Sequence, residues 1–261
     1  MLSNYANKIG ATLKIRLLLT TVILCLFGFY ISDDAKTREP VEVVRVIDGD
    51  TVVLADDRHV RLLGINAPEI SHQGGVNEAG AIKTKEVLES LLANTPHFLE
   101  SDKESFDHYG RTLAYLINEE GSNINVELVK RGLATVSLYP PNLKYSLRLI
   151  NAQQLAEIEG LGIWGLPSYE LVSINDLPQT KKKGWGRFRG EVTKIDVNKK
   201  GVKVWMGEDV YIWIKQSNLR YFSDLDDYLQ QLVEVRGWPR KWGKYWSIQA
   251  RHSSQLINLE D

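Results

Sequence analysis

The residues of this chain whose types and spacing suggest chemistry are few. "DGD" sets Asp48 and Asp50 two positions apart, "VRLLGINAPE" holds Arg61 and Glu69, and Arg111 follows "DHYG". In an extended segment alternate residues share a side, so Asp48 and Asp50 can offer oxygen ligands to a hard cation. The same pair also fits an ordinary Asp-Gly turn. Arg61 and Arg111 each carry a planar fork that can grip a phosphate through two hydrogen bonds, or else pair with a surface carboxylate. Glu69, just past the rigid Ala67–Pro68 turn, can orient or deprotonate a water, or cap a turn. Together they supply what phosphodiester hydrolysis needs: a divalent ion, an activated water, and positive charge where negative charge grows. No serine–histidine or cysteine–histidine arrangement competes. The five histidines (His59, His72, His97, His108, His252) lack metal-ligand spacing and read as surface or turn residues. Cys25 is the single cysteine, which excludes an intrachain disulfide and a cysteine-based metal site.

These residues must be positioned by regular elements. "VEVVRVIDGDTVVLADDRHVRLLGIN" reads as a three-stranded meander over 41–47, 51–54 and 58–65, with "DGD" and "ADD" at its turns. "NEAGAIKTKEVLESLLA" has helical apolar spacing, and further strands are expected at "PHFLES" and "RTLAYLI". Two helices follow, "NINVELVKRGLA" stopped by Gly132 and "YSLRLINAQQLAEIEGLG" stopped by Gly160 and Gly162. Five strands with two or three helices point to a mainly β, α+β chain built on an OB-type barrel.

From about Val41 to Gly165 the sequence resembles the staphylococcal nuclease (thermonuclease) family. The phrases "VIDGDTVVL", "VRLLGINAPE", "DHYGRTLAY", "ELVKRGLA" and "GIWG" come in the family's order and at similar separations. The resemblance implies that Arg61, Glu69 and Arg111 are the catalytic positions. It also implies that Asp50 and the backbone carbonyl of Ala67 ligate a calcium ion. Asn66 stands where well-known members carry a second aspartate ligand, so weaker cation binding is expected. His108 replaces a lysine of some members, which makes a phosphate contact there pH-dependent. Tyr109 fits a hydrogen-bonding position beside the substrate. Tyr139 is a looser match, because the spacing after "GLA" slips by one.

Beyond a linker expected at 167–184, the residues 185–261 have another character. Strand-like alternation with a turn at "NKKG", a short acidic helix at "FSDLDDYLQQL" and a closing hairpin whose turn holds Pro239 and Gly243 suggest a second, smaller OB-like barrel. Overall charge is balanced, with 32 Lys/Arg against 33 Asp/Glu, yet Lys181–Arg251 holds 16 of the former and only 8 of the latter. Such a basic module favours anionic partners, unless the surplus is simply a solvated surface. Six of the seven tryptophans lie here among Lys and Arg. Stacking on nucleic-acid bases is one use for them and a small barrel's core is the other. We expect the core for Trp205 and Trp213. Around the turn of "RGWPRKWGKYW" we expect nucleic-acid contacts from Trp238, Trp242, Arg240 and Lys241, a segment that also suits a bilayer surface.

The first 39 residues read as a cytoplasmic tail, an anchor and a tether. "LLLTTVILCLFGFYI" is uncharged, and the apolar helix extends over 11–31 if Lys14 and Arg16 snorkel. Lys8, Lys14 and Arg16 precede the run and Asp33 and Asp34 follow it, so the tail stays cytoplasmic and the remainder, 40–166 included, is exported. No small-x-small cleavage site is visible, and an uncleaved anchor is expected over a signal peptide. The expected function is a membrane-tethered, exported, calcium-dependent nuclease acting on DNA or RNA. The alternative is a catalytically weak or inactive protein that binds nucleic acid with both modules.

Overall fold

Short β-branched runs separated by Asp- and Gly-rich turns give the first module its meander. In the computed structural model, which describes residues 38–71, 74–93, 95–177 and 184–259, β2 (Val43–Val46), β3 (Thr51–Leu54) and β4 (His59–Leu62) pair antiparallel in sequence. β4 then pairs in parallel with β7 (Thr112–Asn118), and β7 antiparallel with β6 (His97–Glu100). With β1 (Arg38–Val41) the six-stranded order is β1-β6-β7-β4-β3-β2, and β5 (Ile65–Asn66) pairs separately with β8 (Thr135–Val136).

Three helices cover this sheet: α1 (Ala81–Leu92), α2 (Ile124–Lys130) and α3 (Ser146–Ile158). α2 begins at Asn123, whose side chain accepts the Val126 N–H, an N-cap that supplies a partner to an otherwise unpaired donor. Val52, Leu62, Leu116, Leu128 and Leu149 belong to the buried core between sheet and helices. The stop glycines of α2 and α3 interlock. Gly132 and Gly162 both have positive φ, and a Cβ on either would lie 2.1 Å from a carbonyl oxygen, of Leu161 and of Gly132 respectively. Only glycine permits that backbone approach, which lets Ile163 N–H bond Gly132 C=O at 2.8 Å.

The second module carries β9 (Leu171–Ser173), β10 (Gly186–Asn198), β11 (Gly201–Met206), β12 (Val210–Lys215), β13 (Leu232–Gly237), β14 (Pro239–Trp242), β15 (Tyr245–Ala250) and β16 (Leu256–Asn258). They form one sheet in the order β14-β15-β12-β11-β10-β13-β16, with β9 on β10. Inward residues such as Phe188, Val204, Ile212, Val235 and Ile248 make its core. The whole is mixed α+β, mostly sheet with three α-helices among the described residues, and from Pro40 onward it packs as one compact unit.

Several expectations change. The stretch read as a linker contributes β9, and Tyr169, Ile174 and Leu177 are buried, because burying their apolar surface favours packing over a solvated tether. Residues 178–183 lie outside the described residues. The acidic helix is only a 3-10 turn at Leu225–Tyr228, ended nearby by Gln230 at φ 65°. Pro239 opens β14 rather than sitting in the hairpin turn. His97 is buried on β6 and contacts Thr95 Oγ1, not a surface residue. The proposed anchor, 11–31, lies outside the described residues. Among those described, no helix is long and apolar enough to cross a membrane.

The two sheets are joined by charge and by aromatic packing. Arg236 donates to both carboxylate oxygens of Glu157 on α3, at 2.6 and 2.8 Å, and through Nε to Glu234 Oε1 at 2.6 Å. Arg187 grips Glu234 with two bonds of 2.7 and 2.9 Å. Burial opposes the Arg236 charge, yet Glu234 and Glu157 outweigh it and hold the guanidinium pKa above its ordinary value. Burial likewise pushes Glu234 up, but hydrogen bonds and charge from Arg187 and Arg236 leave it below the usual glutamate range. Beside this clasp, Ile163, Tyr169 and Trp185 pack with Trp164, Leu166 and Trp238.

Candidate active site

The site begins at the "DGD" turn between β2 and β3. Gly49 is required by close packing: a Cβ there would meet Thr84 Cγ2 of α1 at 2.3 Å and Ala67 Cβ at 2.5 Å. The turn therefore sits tight against the segment after β5. Asp50, buried at 3% exposure, accepts the Ala67 N–H at Oδ2 (2.8 Å), the Thr51 hydroxyl at Oδ1 (3.1 Å), and pairs with Arg61 Nη2 at 3.0 Å. Arg61 also donates through Nη1 to the Leu62 carbonyl at 2.6 Å. Asn66 donates its side-chain amide to the Ala67 carbonyl at 3.3 Å, and its backbone carbonyl accepts Thr135 Oγ1 at 3.1 Å.

This corner holds more negative charge than Arg61 offsets. Burial, and secondarily Asp48, push Asp50 up to about 6 despite Arg61 and the Ala67 N–H. Glu69 is exposed as a residue, yet burial of its carboxyl, then the charges of Asp50 and Asp48, push it to about 7, with Arg61 opposing. Carboxyls forced toward neutrality beside one guanidinium, with oxygen donors alone, fit a hard cation. No three His, Cys, Asp or Glu among the described residues make a ready-formed cation cage, so any cation here must also draw on amide and backbone oxygens.

The parallel pairing of β4 with β7 places Arg111, one residue before Thr112, beside the strand of Arg61. Both arginines line one cleft of about 490 Å³, together with His108, Tyr109 and Tyr139. Asp107 fixes Arg111 twice, accepting from its N–H at 2.9 Å and its Nε at 2.8 Å. The Arg111 guanidinium lies over the Tyr109 ring at 5.6 Å, and the rings of His108 and Tyr109 are 3.8 Å apart. Arg61 is thus shared: it lines the cleft and pairs with the carboxylate group. Asp50, Asn66, Ala67 and Glu69 do not line the cleft, and Asp50 is tied to it through its pair with Arg61.

Sequence reasoning passed over Asp107 and Glu78. Asp107 stood in the quoted "DHYG", where an Asp followed two and four residues on by backbone donors signals such a turn. Glu78 accepts the Glu69 N–H at 3.0 Å and adds to the charge that raises Glu69, and nothing local in the sequence marks it.

In the second module, Trp205 and Trp213 do not point into the core as expected. Strand alternation sends Val202, Val204 and Met206 inward, so Lys203 and Trp205 face out, and Trp213 opposite Lys203 faces out with them. Trp238 is half-buried at the aromatic junction, while Arg240 and Trp242 lie on the exposed edge strand β14. Lys241 alternates to the other side of β14, opposite Trp246, and does not join them.

Two guanidiniums lining a cleft, one of them paired into a buried acidic corner with a raised glutamate, define a phosphodiester-hydrolase type of site. The comparisons are specific. The family described as "Staphylococcal nuclease homologue" matches residues 59–165. The chain is 36% identical over 160 residues to the "Thermonuclease" of Staphylococcus intermedius, covering 57% of this chain and 94% of that protein. It is 35% identical over 131 residues to the "Thermonuclease" of Staphylococcus hyicus, covering 49% and 76%. The "SPbeta prophage-derived endonuclease YokF" of Bacillus subtilis (strain 168) is 34% identical over 143 residues, 51% of this chain and 47% of its own. The chain belongs to the staphylococcal nuclease family.

Proposed function

We propose that this nuclease is exported, remains tethered to a membrane through residues 11–31, and cleaves DNA or RNA with a calcium-type cation. Family membership makes the chain a hydrolase of phosphodiester bonds whose substrate is nucleic acid. Asp50, the Asn66 side-chain oxygen and the Ala67 carbonyl would hold the cation. When bound it supplies positive charge to the phosphate oxygens. Arg61 neutralises the phosphate, Glu69 orients and deprotonates the attacking water, and Arg111, braced by Asp107, stabilises charge growing on the phosphoryl oxygens. Tyr109, Tyr139 and His108 contact the substrate around them. We read the two sheets as OB-type barrels, an architecture suited to nucleic acid. Basic residues before the apolar N-terminal run and acidic ones after it support export.

The observation that carries the reading is the sharing of Arg61 between the cleft and the buried Asp50 carboxylate. A second reading, a binder with little catalysis, is favoured by Asn66, which lacks the charge of a carboxylate and spends its amide on the Ala67 carbonyl. The test is cleavage of labelled single-stranded DNA by the full chain in mild detergent, with calcium titrated against a chelator. Under the first reading Glu69→Ala or Arg111→Ala lowers the rate on the order of 10²–10³-fold, and chelator stops it. Cleavage by Asn66→Asp but not by the native chain would leave the binder standing.

A further inference from the structure

Resting on the reading of this chain as a nuclease, we infer that the outer face of the second sheet is a binding track for single-stranded nucleic acid that feeds the cleft through Tyr139. The track follows from strand register. Lys203 on β11 lies beside Trp213 on β12, which lies beside Gln249 on β15. One row along, Trp205, Tyr211, Ser247 and Arg240 are successive neighbours across β11, β12, β15 and β14. Residues two apart on a strand share a face, so these rows and Trp242 form one outer surface, while the alternate positions build the core. Part of that surface packs on itself: Tyr211, 8% exposed, lies against Trp205 and Tyr245, and the Trp205 indole N–H donates to Asp196 at 2.8 Å, so Trp213, Trp238 and Trp242 are the tryptophans that line the open groove.

This face lines a groove of about 950 Å³ whose walls carry Lys200, Lys203, Arg240 and Arg251 and, among the described residues lining it, no carboxylate. Rings and cations alternate closely: Lys203 Nζ lies 4.7 Å from the Tyr211 centroid and 5.6 Å from that of Trp205. Tyr139 lines both this groove and the cleft of Arg61 and Arg111. Arg251 caps the Tyr139 ring at 4.3 Å, joining the two concavities. The clasp of Glu157, Arg187, Glu234 and Arg236 keeps them in fixed register. Cations spaced among stacking rings suit a flexible polyanion with open base faces. In a duplex those faces are already stacked on one another, so an unpaired strand is the favoured occupant. Trp242, 76% exposed at the far side on an edge strand, supplies an open platform.

The experiment uses the full chain in mild detergent with chelator present, and measures binding of 5′-labelled oligothymidylates of four and sixteen nucleotides. The native chain binds the sixteen-mer more tightly than the four-mer. In Arg240→Ala/Trp242→Ala, two exposed positions whose truncation leaves the core intact, that ratio falls roughly fivefold or more. The Arg240→Ala change alone makes the negative slope of log K against log[salt] shallower by about 0.7. A ratio unmoved by the double variant overturns the track, even if the native chain cleaves. Binding of the sixteen-mer that depends on these residues, with no cleavage once calcium replaces the chelator, supports the track while removing the nuclease reading. With the detergent removed, co-sedimentation with phosphatidylglycerol vesicles that is lost in the double variant, while oligonucleotide binding persists, overturns it in favour of a bilayer surface.

Discussion

Glu157→Gln tests whether the clasp holds the two sheets together. Glu234 and Arg236 are nearly buried, with side chains 2% and 9% exposed, and Glu157 is 16% exposed. The native network is neutral, with two arginines on two glutamates. Removing the Glu157 charge leaves Arg187 and Arg236 sharing Glu234, one positive charge in excess at a buried position. Breaking such a pair typically costs ~3–5 kcal/mol, and the partial exposure of Glu157 argues for the lower end, about 3 kcal/mol. For a unit of this size that lowers Tm by roughly 6–12 °C. Arg236→Met alone leaves Glu157 without its bidentate partner and costs a similar amount. The double variant Glu157→Met/Arg236→Met behaves differently. Arg187 and Glu234 remain a bidentate pair, and two methionines fill the vacated volume, so stability returns to within about 1 kcal/mol of the native chain. Urea unfolding followed by tryptophan fluorescence reads the effect directly, because Trp164, Trp185 and Trp238 sit at this junction. A single-variant loss under about 1 kcal/mol, or a double variant whose cost is the sum of the singles, would refute the account, since the coupling is its content.

The raised carboxyls set a pH dependence. Glu69 titrates near 7 in the folded chain against an ordinary 4.5, so its contribution to stability is complete below about 4.5 and lost as pH rises through about 7. The Tm advantage of Glu69→Gln over the native chain, measured in chelator, therefore grows across that window, while native cleavage rises through it because the water needs a deprotonated carboxylate. Asn66→Asp adds a carboxylate beside Asp50. It should lower the calcium needed for half-maximal cleavage and also lower Tm in chelator, both readable in one titration. Asn125 is fully buried, donating to Leu63 C=O at 2.8 Å and accepting Leu116 N–H at 3.1 Å. Asn125→Leu leaves both backbone groups unpaired and should cost about 3 kcal/mol in urea unfolding.

Much of the chemistry was legible in the chain. Asp50, Arg61, Glu69 and Arg111 stood in motifs that marked them as candidates, and the turns that present them were legible because those turns are local: Asp-Gly, Ala-Pro and Asp-x-x-Gly fix their own backbone. The meander, a strand after Arg111 and the three helices followed from period and stop signals, whereas the parallel pairing of that strand with β4 did not. What local signals could not carry was partnership over distance. Glu78 raises Glu69, and Glu157 meets Arg236, across 79 positions of sequence, and no periodicity encodes such a pair. Nor could alternation alone say which side of a strand faces the core when both sides are apolar or aromatic. Trp205 and Trp213 read as core for that reason, and only the tertiary packing showed that Val202, Val204 and Met206 hold the inner side, which leaves Trp205 and Trp213 on the outer one, Trp213 lining the groove. Residue type and spacing determined which reaction this chain is equipped for. The packing of the second sheet against α3 decided that a basic, aromatic surface lies beside it, because burial of apolar area has no direction until a partner element supplies one.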